Sequence, residues 1–234
     1  MKRGPSLAAG RRVYLRYPAE SDEGEFLDAV RLSRKLHRPW TDPPSTPEAF
    51  QRFLAQNRLD DSKALLVRTL DGDQLVGVFN LSQIFRRGFQ SAYLGYWVSA
   101  RFVRQGYMTE GLQLVLDFAF NTQKLHRLEA NIQPGNLASK ALVRRCGFHQ
   151  EGFSPRYLKI LGRWRDHERW ALCREDWAEC KRGRRAKRRM TAVSADEAAI
   201  RKLDTGWVKA SRSKQVDAWV AFDSDDAVVL PPND

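Results

Sequence analysis

Leu94-Gly95-Tyr96-Trp97-Val98-Ser99-Ala100-Arg101-Phe102-Val103-Arg104-Gln105-Gly106-Tyr107-Met108-Thr109-Glu110-Gly111 begins as an aromatic, alternating strand and ends as the first turn of a helix. The helix is predicted over about 107–121, and a short basic turn, Arg101 to Gln105, is closed by Gly106 before it. The first N–H groups of a helix lack intrahelical partners, and the positive end of the helix dipole here lies beside two arginines. Such a turn suits an anion with several oxygens, a pyrophosphate for example. Gly106 has no Cβ and lets the backbone approach that ligand closely. Taken alone, the same pattern also describes an ordinary basic surface loop.

A second constellation lies downstream. Asn131-Ile132-Gln133-Pro134-Gly135-Asn136-Leu137-Ala138-Ser139 reads as a strand end and a helix start, and Arg144-Arg145-Cys146-Gly147-Phe148 as the helix exit. Together with the Arg-Gln-Gly-Tyr-Met turn, these residues resemble the GNAT acetyltransferases. Pro134-Gly135-Asn136, Glu151-Gly152-Phe153 and Gly162-Arg163-Trp164-Arg165-Asp166-His167 are similar to the RimJ/RimL branch, the ribosomal-protein alanine N-acetyltransferases. The similarity spans about Arg11 to Trp177. It implies an α+β fold with a mixed, mostly antiparallel sheet flanked by helices. It further implies direct transfer of acetyl from acetyl-CoA to a primary amine, here expected to be the N-terminal amine of a ribosomal protein. The alternatives are a small-molecule amine (polyamine, amino acid or aminoglycoside) and a non-catalytic CoA- or rRNA-binding accessory protein, because fold resemblance does not fix a substrate.

The resemblance also implies site roles. The backbone N–H near Val98 is the expected oxyanion donor, freed where its strand splays from a neighbour, with Trp97 beside it. The pyrophosphate is expected over Val103, Arg104, Gln105, Gly106, Tyr107, Met108 and Thr109. Asn136 is expected beside the pantetheine arm, although Asn is equally a favoured helix cap. Ser139 is expected near the departing sulfur, where a hydroxyl can protonate the thiolate.

The base is read from the residues. Glu129 and Asn131 alternate onto one strand face, which makes Glu129 the candidate base and Asn131 an acceptor contact. Glu110 competes, with dipole complementation at its helix start as the plainer role; Glu151 is a third carboxylate near the cleft. Trp40 and Tyr96 are expected walls of the acceptor site, and Asp166 with His167 either orients a turn or touches the acceptor. Cys146, at a helix end, reads as a buried thiol rather than an acyl carrier.

The chain has 234 residues, enough for one sizeable domain and a short annex. No run approaches the roughly 18 apolar residues that span a bilayer. Cys146, Cys173 and Cys180 are odd in number and scattered, which suits a reducing cytosol better than a disulfide framework. The four histidines show no ligand spacing, so no metal is expected. The net charge of +12 is uneven: Lys181 to Arg189 holds seven basic residues in nine. That segment reads as a linker that could also touch rRNA phosphates.

In chain order, residues 1–10 read as an extension and 11–177 as the acetyltransferase domain. Arg11 to Tyr17 reads as a strand, and Ser21 with Asp22 and Glu23 as a helix start. Pro39 to Pro47 forms a loop, with a second helix after Thr46 and Pro47 at its first position. Strands follow at Ala64 to Thr69, Leu75 to Ser82, Gln90 to Ser99 and His126 to Ile132. A helix over 137–146 and strands near 148–160 and 167–173 complete the domain. Residues 178–190 form a basic linker. Residues 191–234 resemble the opening of a SnoaL-like (NTF2-like) domain without its sheet, too short to close a core and expected to be weakly ordered.

Overall fold

The computed structural model describes residues 5–183. The chain divides into two units, Met1–Glu179 and Cys180–Asp234, and the sheet with its helices belongs to the first. The NTF2-like reading of 191–234 and most of the basic segment 181–189 lie outside the described residues.

Eight strands form one sheet: β1 (Ala8–Ala9), β2 (Val13–Arg16), β3 (Lys63–Thr69), β4 (Leu75–Phe85), β5 (Ser91–Val98), β6 (Arg127–Ile132), β7 (His149–Ile160) and β8 (Arg163–Cys173). They lie in the order β1-β2-β3-β4-β5-β6-β8-β7. Every neighbouring pair is antiparallel except β5 and β6. The helices are α1 (Glu23–Leu32), α2 (Arg34–His37), α3 (Pro47–Asn57), α4 (Tyr107–Asp117) and α5 (Leu137–Cys146). The expected α+β fold with a mixed sheet is the observed one.

Local chemistry accounts for the boundaries. Thr46 caps α3 by accepting the Ala49 N–H at 3.2 Å, and Pro47 occupies the first turn, where no N–H is needed. Asn136 caps α5 through the Ser139 N–H at 3.1 Å, and Gly147 ends it in the left-handed region. Where one helix over 107–121 was expected, α4 stops at Asp117 and Phe118–Thr122 forms a π-helical turn. The apolar period persists through both, which is why the sequence cannot separate them; Phe118 and Phe120 are buried there. The strand expected over Arg11 to Tyr17 narrows to Val13–Arg16, and Ala8–Ala9 pairs with it.

The sheet buries side chains on both faces. On one, Phe79, Leu94, Leu112, Leu116, Leu128 and Trp170 join a core beneath α4 and α5. On the other, Phe26, Phe50, Leu66, Val78 and Trp97 pack beneath α1 and α3. Full burial of each large apolar side chain contributes about 1.5–3 kcal/mol. Arg16 and Arg68 are buried too, shared among Asp22, Glu25 at 2.8 Å and Asp73 at 2.6 Å, so each cation has anionic partners. No helix among the described residues is long and apolar enough to cross a membrane.

Candidate active site

β5 and β6 pair only from Ser91↔Arg127 to Tyr93↔Glu129. Beyond Tyr93, β5 stays with β4 as far as Val98↔Gly77, while β6 stays with β8 as far as Ile132↔Glu168. The sheet therefore opens along residues 94–98. In an antiparallel ladder the amides alternate in direction. Ser99 donates to the Val76 carbonyl at 2.8 Å, so the odd residues of β5 face β4 and the even ones, Tyr96 and Val98, face the opening.

Two buried side chains, Ser33 between α1 and α2 and His37 at the end of α2, hold the end of β5 where β6 has left it. His37 Nε2 donates to the Val98 carbonyl at 2.9 Å, and Ser33 Oγ accepts the Ala100 N–H at 2.8 Å. Burial pulls the His37 pKa below its usual value, so the ring is neutral, with Nε2 protonated toward Val98. Its Nδ1 is buried without a partner. Sequence reasoning missed both residues, because a lone Ser and His on a helix carry no motif. The Trp97 side chain packs on Phe26 and His37 at centroid distances of 5.1 and 5.3 Å, so its expected cofactor role reduces to backbone and packing.

The turn before α4 has the expected form. Arg104 and Gly106 both sit in the left-handed region, at φ 60 and φ 80. No side chain caps α4, which leaves its first amides directed outward with no protein acceptor from a capping side chain. Arg101 and Arg104 form no ion pair with a described residue, and Val103 and Thr109 complete the turn. The donor set suits a diphosphate. Arg12, also missed, donates to the Gln105 carbonyl at 3.1 Å and lies 4.4 Å over the Tyr107 ring. Met108 is buried in the core, so only its backbone is offered to a ligand.

Glu110 is engaged as a tether, a role outside the two expected of it. Its carboxylate accepts the backbone N–H groups of Arg11 at 2.6 Å and Arg12 at 2.8 Å and pairs with Arg12 Nε at 3.2 Å. Those bonds hold its pKa below the ordinary range against the opposing effect of burial, and they tie β2 to the first turn of α4.

Across the opening, the Tyr96 hydroxyl meets Ser139 Oγ at 2.5 Å. Burial raises the Tyr96 pKa, so the phenol stays protonated and the two hydroxyls form one hydrogen-bonded pair. Tyr96, expected at the acceptor wall, thus stands with Ser139. Asn136 has its Oδ1 occupied by the α5 cap, which leaves its amide N–H groups for other partners. Cys146 is fully buried, as expected.

Glu129 and Asn131 share a face of β6 with Tyr93 of β5. Arg127 Nε holds Glu129 at 2.8 Å and the same guanidinium holds Glu151. Tyr93 is pushed up to about 12 by its hydrogen bond to Tyr157 and by burial. Asn131 Oδ1 is buried with no partner. Trp40 covers the far end: Gln133 Nε2 donates to the Pro39 and Trp40 carbonyls, each at 3.2 Å, and the indole fills the space a Cβ on Gly135 would need. Asp166 accepts the Arg156 N–H at 2.7 Å in the β7–β8 hairpin, an orienting role. His167 is buried beside it, its pKa lowered by desolvation.

A family model described as an acetyltransferase (GNAT) domain matches residues 12–149. The chain is 39% identical over 178 residues to the probable N-acetyltransferase YjcK of Bacillus subtilis (strain 168), covering 73% of this chain and 98% of that protein. It is 39% identical over 174 residues to the [ribosomal protein uS5]-alanine N-acetyltransferase of Escherichia coli (strain K12), covering 71% and 90%. Among solved structures, Mycobacterium smegmatis RimJ in complex with CoA-disulfide aligns with a TM-score of 0.65 at 26% identity, covering 70% of this chain and 82% of that one.

Proposed function

The chain belongs to the GNAT acetyltransferases, and on that premise we propose that its acceptor is the N-terminal amine of a protein, as named for its Escherichia coli relative. The enzyme is an acetyl-CoA-dependent N-acetyltransferase. The observation that supports a protein acceptor is the charge of the face below the opening. Its carboxylates Glu129 and Glu151 are both engaged by Arg127. A polyamine needs uncommitted carboxylates, whereas a single α-amine does not.

In this reading the amides from Arg104 to Thr109, with Arg101 and Arg104, hold the diphosphate. The Val98 N–H faces the opening and stabilises the oxyanion, a contribution of about 3 kcal/mol for a donor already in place. Ser139, backed by Tyr96, returns a proton to the departing sulfur. An α-amine has a pKa of about 8 and needs only a modest base. We assign that role to Glu129 through its Oε2, since the Arg127 Nε bond is made to Oε1 and leaves one oxygen for a single amine, with Asn131 orienting the amine.

Labelled acetyl-CoA supplied with N-terminal peptides, ribosomal proteins and polyamines tests the acceptor. Label in peptides or ribosomal proteins supports it; label confined to polyamines refutes it. Glu129→Gln should lower kcat about a hundredfold, and an unaltered pH–rate profile in that variant would remove Glu129 from the role.

A further inference from the structure

β8 carries Arg163, Arg165 and Arg169 at odd positions, and side chains two apart on a strand share a face. Arg169 lies opposite Asn131 of β6, so the row starts beside the unpartnered Asn131 oxygen and runs to the hairpin tip. It runs over six residue steps, about 20 Å at roughly 3.3 Å per step. None of the three guanidinium groups forms an ion pair or a hydrogen bond with a described residue.

The acids of the same strand leave the row uncompensated. Glu168 occupies an even position and is bound to Lys140 at 3.0 Å and to Trp170 Nε1 at 3.1 Å. Asp166, also even, accepts a backbone N–H from Arg156. Glu151, on the neighbouring strand, is bound to Arg127, and Arg169 feels its charge without an ion pair, so Arg163 and Arg165 are the less compensated part of the row. Three like charges on one face repel one another and gain most from a partner of opposite sign.

We infer that the acceptor polypeptide carries carboxylates just beyond its amine, and that Arg169, Arg165 and Arg163 read them along an extended segment laid on this face. This rests on the protein-acceptor reading above. An extended segment repeats every second residue, and the row keeps that face with one interruption at His167, so acids four and then two residues apart meet Arg169, Arg165 and Arg163 in turn. A single-stranded nucleic acid would call for rings interleaved with the cations. The exposed Phe153 and Trp164 lie on the opposite face, paired with Glu168 and Lys159, and the ring between the arginines, His167, is buried against Tyr157 where no base could stack on it.

The test compares peptides with a free N-terminal Ala and Glu at positions three, seven and nine against the same peptides with Gln. In low salt the wild-type enzyme should favour the Glu series about tenfold in kcat/KM. The ratio should fall near one in Arg163→Gln/Arg165→Gln, and Arg165→Glu should turn the preference toward a Lys series. Unaltered melting temperatures would show that the variants fold. Fluorescence anisotropy with an N-acetylated Glu peptide reads the row without catalysis. If no peptide is acetylated yet the blocked peptide binds about tenfold more weakly to the double variant, the row stands and the acceptor reading falls. If Glu and Gln peptides are acetylated equally, the row falls and the acceptor reading stands. Displacement of the bound peptide by equimolar single-stranded RNA would likewise overturn the proposal.

Discussion

Ser139 shows how one hydroxyl gains a role from its neighbour. The Oγ–Tyr96 contact of 2.5 Å joins two groups 43 residues apart, and burial keeps the phenol protonated as a reserve donor. Ser139→Ala should therefore lower kcat by about 10²-fold while the KM for acetyl-CoA changes little. A dominant KM effect in steady-state assays would make Ser139 a binding group instead. His37 and His167 also act through burial. Both have folded-state pKa values below the usual 6.5. The unfolded chain therefore takes up protons first as pH falls through that region, and stability is lost on the acid side. Melting temperature should decline from pH 7 to pH 5, and His37→Gln should flatten that decline. A profile level down to the carboxylate range would contradict it. Serine and histidine identities were legible in the sequence; their partners were not, because the contacts cross from one element to another.

At the scale of elements, the site depends on an opening and a turn. The turn was readable, since a basic run ending in glycine before a helical period has one local solution. Gly106 sits at φ 80, where a Cβ costs about 1–2 kcal/mol, and its Cβ would stand 3.2 Å from Arg12 Nη2. Gly106→Ala should raise the KM for acetyl-CoA about tenfold with a smaller change in kcat; equal KM values for both enzymes would deny the turn its role. The opening was expected only through family resemblance. Strand composition carries no trace of where β5 stops pairing with β6, because backbone amides are the same for every residue except proline. Ser33 and His37, which secure the strand end, were equally hidden, as was the role of Arg12, which reaches the turn across 93 residues.

Over the whole molecule, every residue assigned a step in the proposed reaction lies between positions 96 and 139, the side chains that support the site reach back to Arg12, and the acceptor face extends to Arg169. Removing residues 191–234 should therefore leave kcat/KM within about twofold, since no group assigned to the reaction belongs to that segment. A tenfold loss in peptide acetylation would bring that segment into the function. The sequence by itself determined the class of fold, the caps of α3 and α5, the glycine-closed turn before α4 and the family, because these rest on local spacing and on residue types that few other arrangements need. Only the tertiary structure decided which groups meet: Tyr96 on Ser139, His37 on Val98, Arg127 between Glu129 and Glu151, and the arginines of β8 aligned with Asn131. Those pairings follow from strand register and chain crossing, which depend on how the two cores close over the sheet and not on any one segment's pattern.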